Sequence, residues 1–234
     1  MNVLGLSIPD GYEIPFIFTL IIMAVKLSLI LFIAYKIVKK RKEKIRRASP
    51  GVLFWITCLL ISRILYTIFD YFLTKFDTST YVDFPNLWYW KTASLLLAIG
   101  VAVLLIFIDR RVLHNKFKGI FGIIIIIAGA VQFFYPVHDL QEFAIASGIG
   151  TAADFCAFFI PILFIWIAIK TPELRKISLA VAIGAIVYVV GGTLVSPTFI
   201  NLLGLTQDIM YAIDTILKTI GLVMISYGAM HFAA

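Results

Sequence analysis

The sequence predicts an all-α, polytopic membrane protein: a single domain, residues 1–234, of seven transmembrane helices with the N-terminus outside and the C-terminus inside. Three observations carry this reading. Of 234 residues, 62% are hydrophobic and only 14% charged, and the mean hydropathy is +1.02; soluble domains hold about 45–50% apolar and about 25% charged residues. Seven apolar stretches approach the roughly 20 residues that a bilayer core requires at 1.5 Å per residue. Lysine and arginine gather in alternate connections. This composition excludes a soluble enzyme domain, a disordered tail and a disulfide-stapled secreted module. The formal charge of +7 reads as membrane topology rather than as nucleic-acid binding.

The spans follow in order. The first, near 14–37, is preceded by Asp10 and Glu13 and by no basic segment, so it is expected to be a retained helix and not a cleavable signal peptide. The second, near 51–75, opens on Ser49-Pro50, an N-cap signal with proline in the first turn. The third, near 86–109, follows the turn Asp83-Phe84-Pro85-Asn86 and starts with Trp88, Tyr89 and Trp90, the composition of an interfacial aromatic belt. Trp55 and Trp166 would belong to the opposite belt. The fourth, near 118–136, runs through five consecutive isoleucines, Ile123 to Ile127, and stops at Tyr135-Pro136. The fifth, near 147–170, contains Pro161, where a kink is expected. The sixth, near 176–197, and the seventh, near 206–231, are separated by the break at Ser196-Pro197. Gly184 and Gly191 on span six, like Gly221 and Gly228 on span seven, are spaced by seven residues and predict close helix packing.

Orientation comes from the basic residues. Eight lie between Lys36 and Arg47, four between Arg110 and Lys118, and three between Lys170 and Lys176, together 15 of the chain's 20. The opposite connections carry Asp10, Glu13, Asp77, Asp83, Asp139, Glu142 and Asp208, with Lys75 nearly alone among cations. The positive-inside rule then puts the N-terminus outside, and a multi-pass location in the cell membrane is expected. The run from Lys36 to Arg47 reads as a stop-transfer anchor against anionic headgroups. Cys58 and Cys156 both fall inside spans, where no oxidising aqueous phase favours a disulfide.

Seven ionisable residues lie within the spans: Lys26, Arg63, Asp70, Lys91, Asp154, Asp214 and Lys218. Left facing lipid, each costs roughly 2.5–3.5 kcal/mol at a helix centre, so they are expected to pair, to snorkel or to line a cavity. Arg63, Tyr66 and Asp70 share one face at i, i+3, i+7; Gln207, Tyr211, Asp214 and Lys218 share another at i, i+4, i+7, i+11. Most of these positions fall between the midplane and the outer surface, whereas the inner halves of the spans are nearly all apolar. The pattern predicts a blind, outward-facing polar pocket built from Arg63, Tyr66, Asp70, Tyr211, Asp214 and Lys218, with Lys26, Lys91 and Asp154 around it. A salt-bridge network that only sets helix register accounts for the same residues, because buried pairs are often stability-neutral. Lys91 also has a route of its own, snorkelling past Trp88 and Trp90 to the interface.

Two resemblances accompany these residues. Asp214-Thr-Ile-Leu-Lys218 resembles the seventh helix of microbial rhodopsins, which implies a retinal Schiff base on Lys218 with Asp214 in its counterion; span three lacks the carboxylate of that family's proton pumps. Arg63-Ile-Leu-Tyr66 with Phe69-Asp-Tyr71 and Trp90-Lys91 resembles archaeal-type seven-span integral membrane proteins, a likeness that implies no particular activity and points towards sensor modules.

No enzyme motif is present. His114, His138 and His231 lie in separate segments without metal-ligand spacing, so neither catalysis nor a metal is expected, and no cofactor beyond the retinal alternative. The function predicted is that of a receptor or sensor-like protein for a small anionic or zwitterionic ligand, signalling through a separate cytoplasmic partner. A small-solute transporter using the same charges is the alternative. The partners expected are the lipid bilayer, that ligand and that signalling protein, and not nucleic acid.

Overall fold

The computed structural model describes residues 2–3, 6–39, 49–111, 113, 115–154, 158–195, 200 and 202–231. Helices dominate it: α1 (Glu13–Lys39), α2 (Ser49–Thr67, continued as a π-helical turn over Ile68–Leu73), α3 (Asn86–Arg111), α4 (Ile120–Phe134), α5 (Leu140–Asp154), α6 (Phe159–Lys170), α7 (Arg175–Leu194) and α8 (Gln207–His231). A two-residue antiparallel pairing, Asn2 with Ser7 and Val3 with Leu6, precedes them. Five helices are long and apolar enough to cross a membrane: Glu13–Lys39, Pro50–Leu73, Asn86–Arg110, Pro172–Leu194 and Gln207–Gly228. Ile120–Phe134 and Phe159–Lys170 are apolar but shorter. The protein is a helical membrane protein by this measure.

The chain divides into two compact units, Met1–Glu13 with Phe54–Phe158, and Ile14–Leu53 with Phe159–Ala234. In the first, α2 is stitched to α3 by Ser62 Oγ donating to Ala93 O (2.8 Å) and by the Tyr66 hydroxyl against Ser94 Oγ (2.6 Å). Small residues let α4 approach α3: a Cβ at Gly122 would stand 2.7 Å from Ala102 O, and one at Gly129 would stand 2.8 Å from Ala98 Cβ. The core here is aromatic. Trp90, Phe69, Val137 and Ala146 are buried together, with Phe143 4.5 Å from Trp90 and 5.4 Å from Tyr81.

Charges on α3 hold both ends of α4. Buried Asp109 accepts hydrogen bonds from Phe117 N (2.9 Å) and Gly119 N (2.6 Å) where the chain enters α4. Lys91 Nζ donates to Tyr135 O (2.6 Å) where the chain leaves it. An anion at the N-terminus and a cation at the C-terminus both oppose the α4 dipole. Farther along the chain, Asp77 caps the short turn Thr78–Thr80, and hydrogen bonds from the Ser79 hydroxyl and amide hold its carboxyl below the ordinary aspartate range.

In the second unit α7 packs along α8 at two glycines. A Cβ at Gly221 would stand 2.6 Å from Gly184 O, and one at Gly184 would stand 2.9 Å from Gly221 O. Gly228 lies directly against the Val181 side chain, and Gly191 packs against the backbone of Asp214. From α8, Thr215 Oγ1 reaches Phe18 O of α1 at 3.4 Å.

Several expectations need correction. The span expected near 147–170 is divided between α5 and α6. Pro161 sits in the first turn of α6, where a missing N–H goes unnoticed. The helices expected near 118–136 and 176–197, by contrast, end at Phe134 and Leu194, within three residues of the expected bounds. Trp90 is buried and Trp88 is 51% exposed, so only one of the two fits a belt. Lys91 does not snorkel: it is 8% exposed and bonded to the end of α4, where the carbonyl groups offer it a partner at no greater reach.

Candidate functional site

The nine residues proposed from the sequence are distributed over both units. Arg63, Tyr66, Asp70 and Lys91 belong to the first unit; Lys26, Tyr211, Asp214 and Lys218 belong to the second. Asp154 ends α5, and its side chain lies outside the described residues. Cys156 lies outside them as well; Cys58 is buried with a free thiol.

On α2 the expected stripe is interrupted. Thr67 Oγ1 donates back to Arg63 O (2.7 Å), and Thr74 donates to Phe69 O through both its amide and its hydroxyl (2.9 Å each). The wider π turn that results holds Asp70 out of the α-helical i, i+7 register with Arg63, although the charge of Arg63 still reaches it. On α8, Lys218 Nζ lies 2.9 Å from Asp214 Oδ1 and 3.0 Å from Oδ2. The pair is well shielded, with the two side chains 18% and 5% exposed. Gly192 leaves room for the lysine, its would-be Cβ 3.5 Å from Lys218 Cε. Both residues belong to one helix at i, i+4, so the pair closes locally. Lys26, on α1, is 4% exposed.

Among the described residues, the most site-like feature is a partly open cavity of about 110 Å³ in the α2–α5 unit. Its polar wall is Tyr66, Ser94, Gln132, Ser147 and Thr151; Trp90, Leu97 and Ala98 supply apolar surface. It exists because the helices meet there through Gly129, Gly150, Ala98 and two serines, side chains too small to fill the space between four helices. Tyr66 OH and Ser94 Oγ satisfy one another, and Thr151 Oγ1 donates to Ser147 O (3.0 Å).

Gln132 differs from its neighbours. It is 5% exposed, and among the described residues its amide makes no hydrogen bond. The amide lies against α5, where a Cβ at Gly150 would stand 2.6 Å from Gln132 Oε1 and 2.7 Å from Nε2. The amide lines the cavity, so a ligand there that offers both a donor and an acceptor can pair with it.

Of the nine sequence candidates, Tyr66 alone lines this cavity. Gln132 carries no charge and Asp109 stands at the edge of span three, so neither stands out as an intramembrane charge. One amide in the isoleucine-rich fourth span is a readable signal. Among the described residues no group of three or more His, Cys, Asp or Glu is placed to hold a metal ion. Comparison with protein-family models, with curated proteins and with solved structures finds no match.

Proposed function

We propose that the chain is a receptor or sensor-like protein of the cell membrane that binds a small polar ligand in the α2–α5 cavity and signals through a separate cytoplasmic partner. The observation that carries this reading is the Gln132 amide on the wall of a polar cavity among four helices. The proposed path has seven crossings, N-terminus out and C-terminus in, with α5 and α6 together making the fifth. Two features support it. The basic residues stand after α1, α3 and α6, on one side under this path. The 15 residues of α4 rise about 22 Å, and the flanking segments and interfacial anchoring make up the remainder of a thin crossing.

Under the same path the cavity opens in the outer half. Trp90 is in the second turn of α3, Gln132 is in the last turn of α4, and Tyr66 is seven residues before the end of the π turn. The inner halves of the spans are nearly all apolar in sequence, which favours reception over conduction. The path is checked by labelling single cysteines in sealed vesicles of known orientation, in a background with Cys58 and Cys156 replaced. His138→Cys is expected to react with an impermeant maleimide from outside only and Lys116→Cys from inside only; the reverse pattern, or both on one side, refutes the path.

The site itself is tested by a thermal-shift screen of small polar compounds on the purified chain. A ligand at 100 times its Kd stabilises by about 2.7 kcal/mol, roughly 5–10 °C for a chain of this length. Gln132→Leu is expected to abolish the response to the hit, since it removes the amide that pairs with it. A response that survives Gln132→Leu and Tyr66→Phe together rules this cavity out as the site.

A further inference from the structure

The chemistry of the walls restricts what the cavity accepts. Its five polar residues are a phenol, three aliphatic hydroxyls and a primary amide, and no carboxylate, ammonium or guanidinium is among its lining groups. The nearest charges along the chain are otherwise engaged or stand outside the wall. Lys91, beside Trp90, is bonded to Tyr135 O. Arg63 and Asp70, either side of Tyr66, act on one another. An ion seated in this partly open cavity would give up part of its water without gaining a countercharge, which disfavours it against a neutral molecule of the same shape.

The hydrogen-bonding pattern narrows the class further. The Gln132 amide offers one acceptor and two donors at a single planar group, with the Trp90 ring and the Leu97 and Ala98 side chains as apolar neighbours. A planar molecule that donates and accepts through adjacent atoms pairs reciprocally with such an amide. Size sets the remaining bound. A dry cavity of about 150 Å³ takes benzene, so about 110 Å³ suits four or five heavy atoms.

On the proposal that this cavity is the ligand site, we infer that its ligand is a small uncharged carboxamide or urea-like molecule, paired with the amide of Gln132. This replaces the anionic or zwitterionic ligand expected from the intramembrane charges, because those charges are not in the wall.

Three isosteres differing only in charge test the inference: acetamide, acetate and acetamidinium, each at 10 mM and constant ionic strength, with the full chain in detergent. Acetamide is expected to raise Tm by about 3 °C, corresponding to a millimolar Kd, and to do nothing to Gln132→Leu. Acetate and acetamidinium are expected to bind at least tenfold more weakly. A response to acetate or acetamidinium equal to or above that of acetamide, and lost in Gln132→Leu, overturns the uncharged ligand and leaves the site standing. Silence from all three, or shifts that Gln132→Leu leaves unaltered, overturns the site as well.

Discussion

Asp109→Ala is expected to destabilise the protein by about 3 kcal/mol, read as a shift in the denaturant midpoint of the detergent-solubilised chain. The carboxylate is 5% exposed and takes the amide protons of Phe117 and Gly119, while its own carbonyl takes that of Asn115 (2.8 Å). Hydrogen bonds to a charged group contribute about 1.5–3 kcal/mol each, and removal of the carboxylate strands two donors at the start of α4. The loop they hold is not relaxed by itself: Asn115 and Lys118 both have positive φ, 63° and 52°, as does Gly119 at 73°. Left-handed backbone at non-glycine residues costs about 1 kcal/mol or more each, so the loop is expected to fray without its anchor. Asp109→Asn retains acceptor capacity without charge and should lose about half as much. Amide exchange at Phe117 and Gly119 locates the effect, and unchanged protection there in Asp109→Ala would refute the anchoring role.

Gly221→Ala is expected to cost about 2–3 kcal/mol, the range for overpacking at a site that has no slack. The added methyl would meet Gly184 O at 2.6 Å and Tyr188 N at 2.8 Å. Both are backbone atoms of α7, so no side chain can swing aside and the two helices must separate. Gly221→Val should be worse, and Gly184→Ala comparable, because its Cβ would stand 2.7 Å from Met224 Cβ and 2.9 Å from Gly221 O. Gly148→Ala is the control: nothing lies within 4 Å of its would-be Cβ, and alanine favours a helix by about 1 kcal/mol over glycine. Equal stability of the Gly221 and Gly148 variants would contradict the close approach of α7 and α8.

The glycines were legible in advance, for a seven-residue spacing in an apolar helix has few other uses. Membrane character and helix content were legible for the same kind of reason: both depend on composition and on runs of residues along the chain. The cavity was much less so. Charge was used as the marker of a site, yet Lys91 closes the end of α4 and Lys218 closes on Asp214 within its own helix. Ions in a low-dielectric interior are neutralised by whatever partner is nearest, and that partner is set by packing. A neutral amide such as Gln132 raises no comparable alarm in a sequence, although one in an otherwise isoleucine-rich helix needs a partner just as surely. The π turn at Ile68–Leu73 had no warning in the hydropathy pattern, since it shifts register without changing which residues are apolar.

The sequence by itself determined that the chain is helical and apolar enough for a bilayer, where its helices other than α5 and α6 begin within a few residues, and which connections are basic. Those properties are local, each a function of one stretch of residues and the solvent it meets. Only the tertiary structure decided that Asp109 and Lys91 grip α4 from α3, that α5 and α6 are separate helices, and that Tyr66, Gln132 and Ser147 share one cavity. Such facts depend on which small residues let two helices touch and which leave space between four, a property of contacts between segments far apart in the chain.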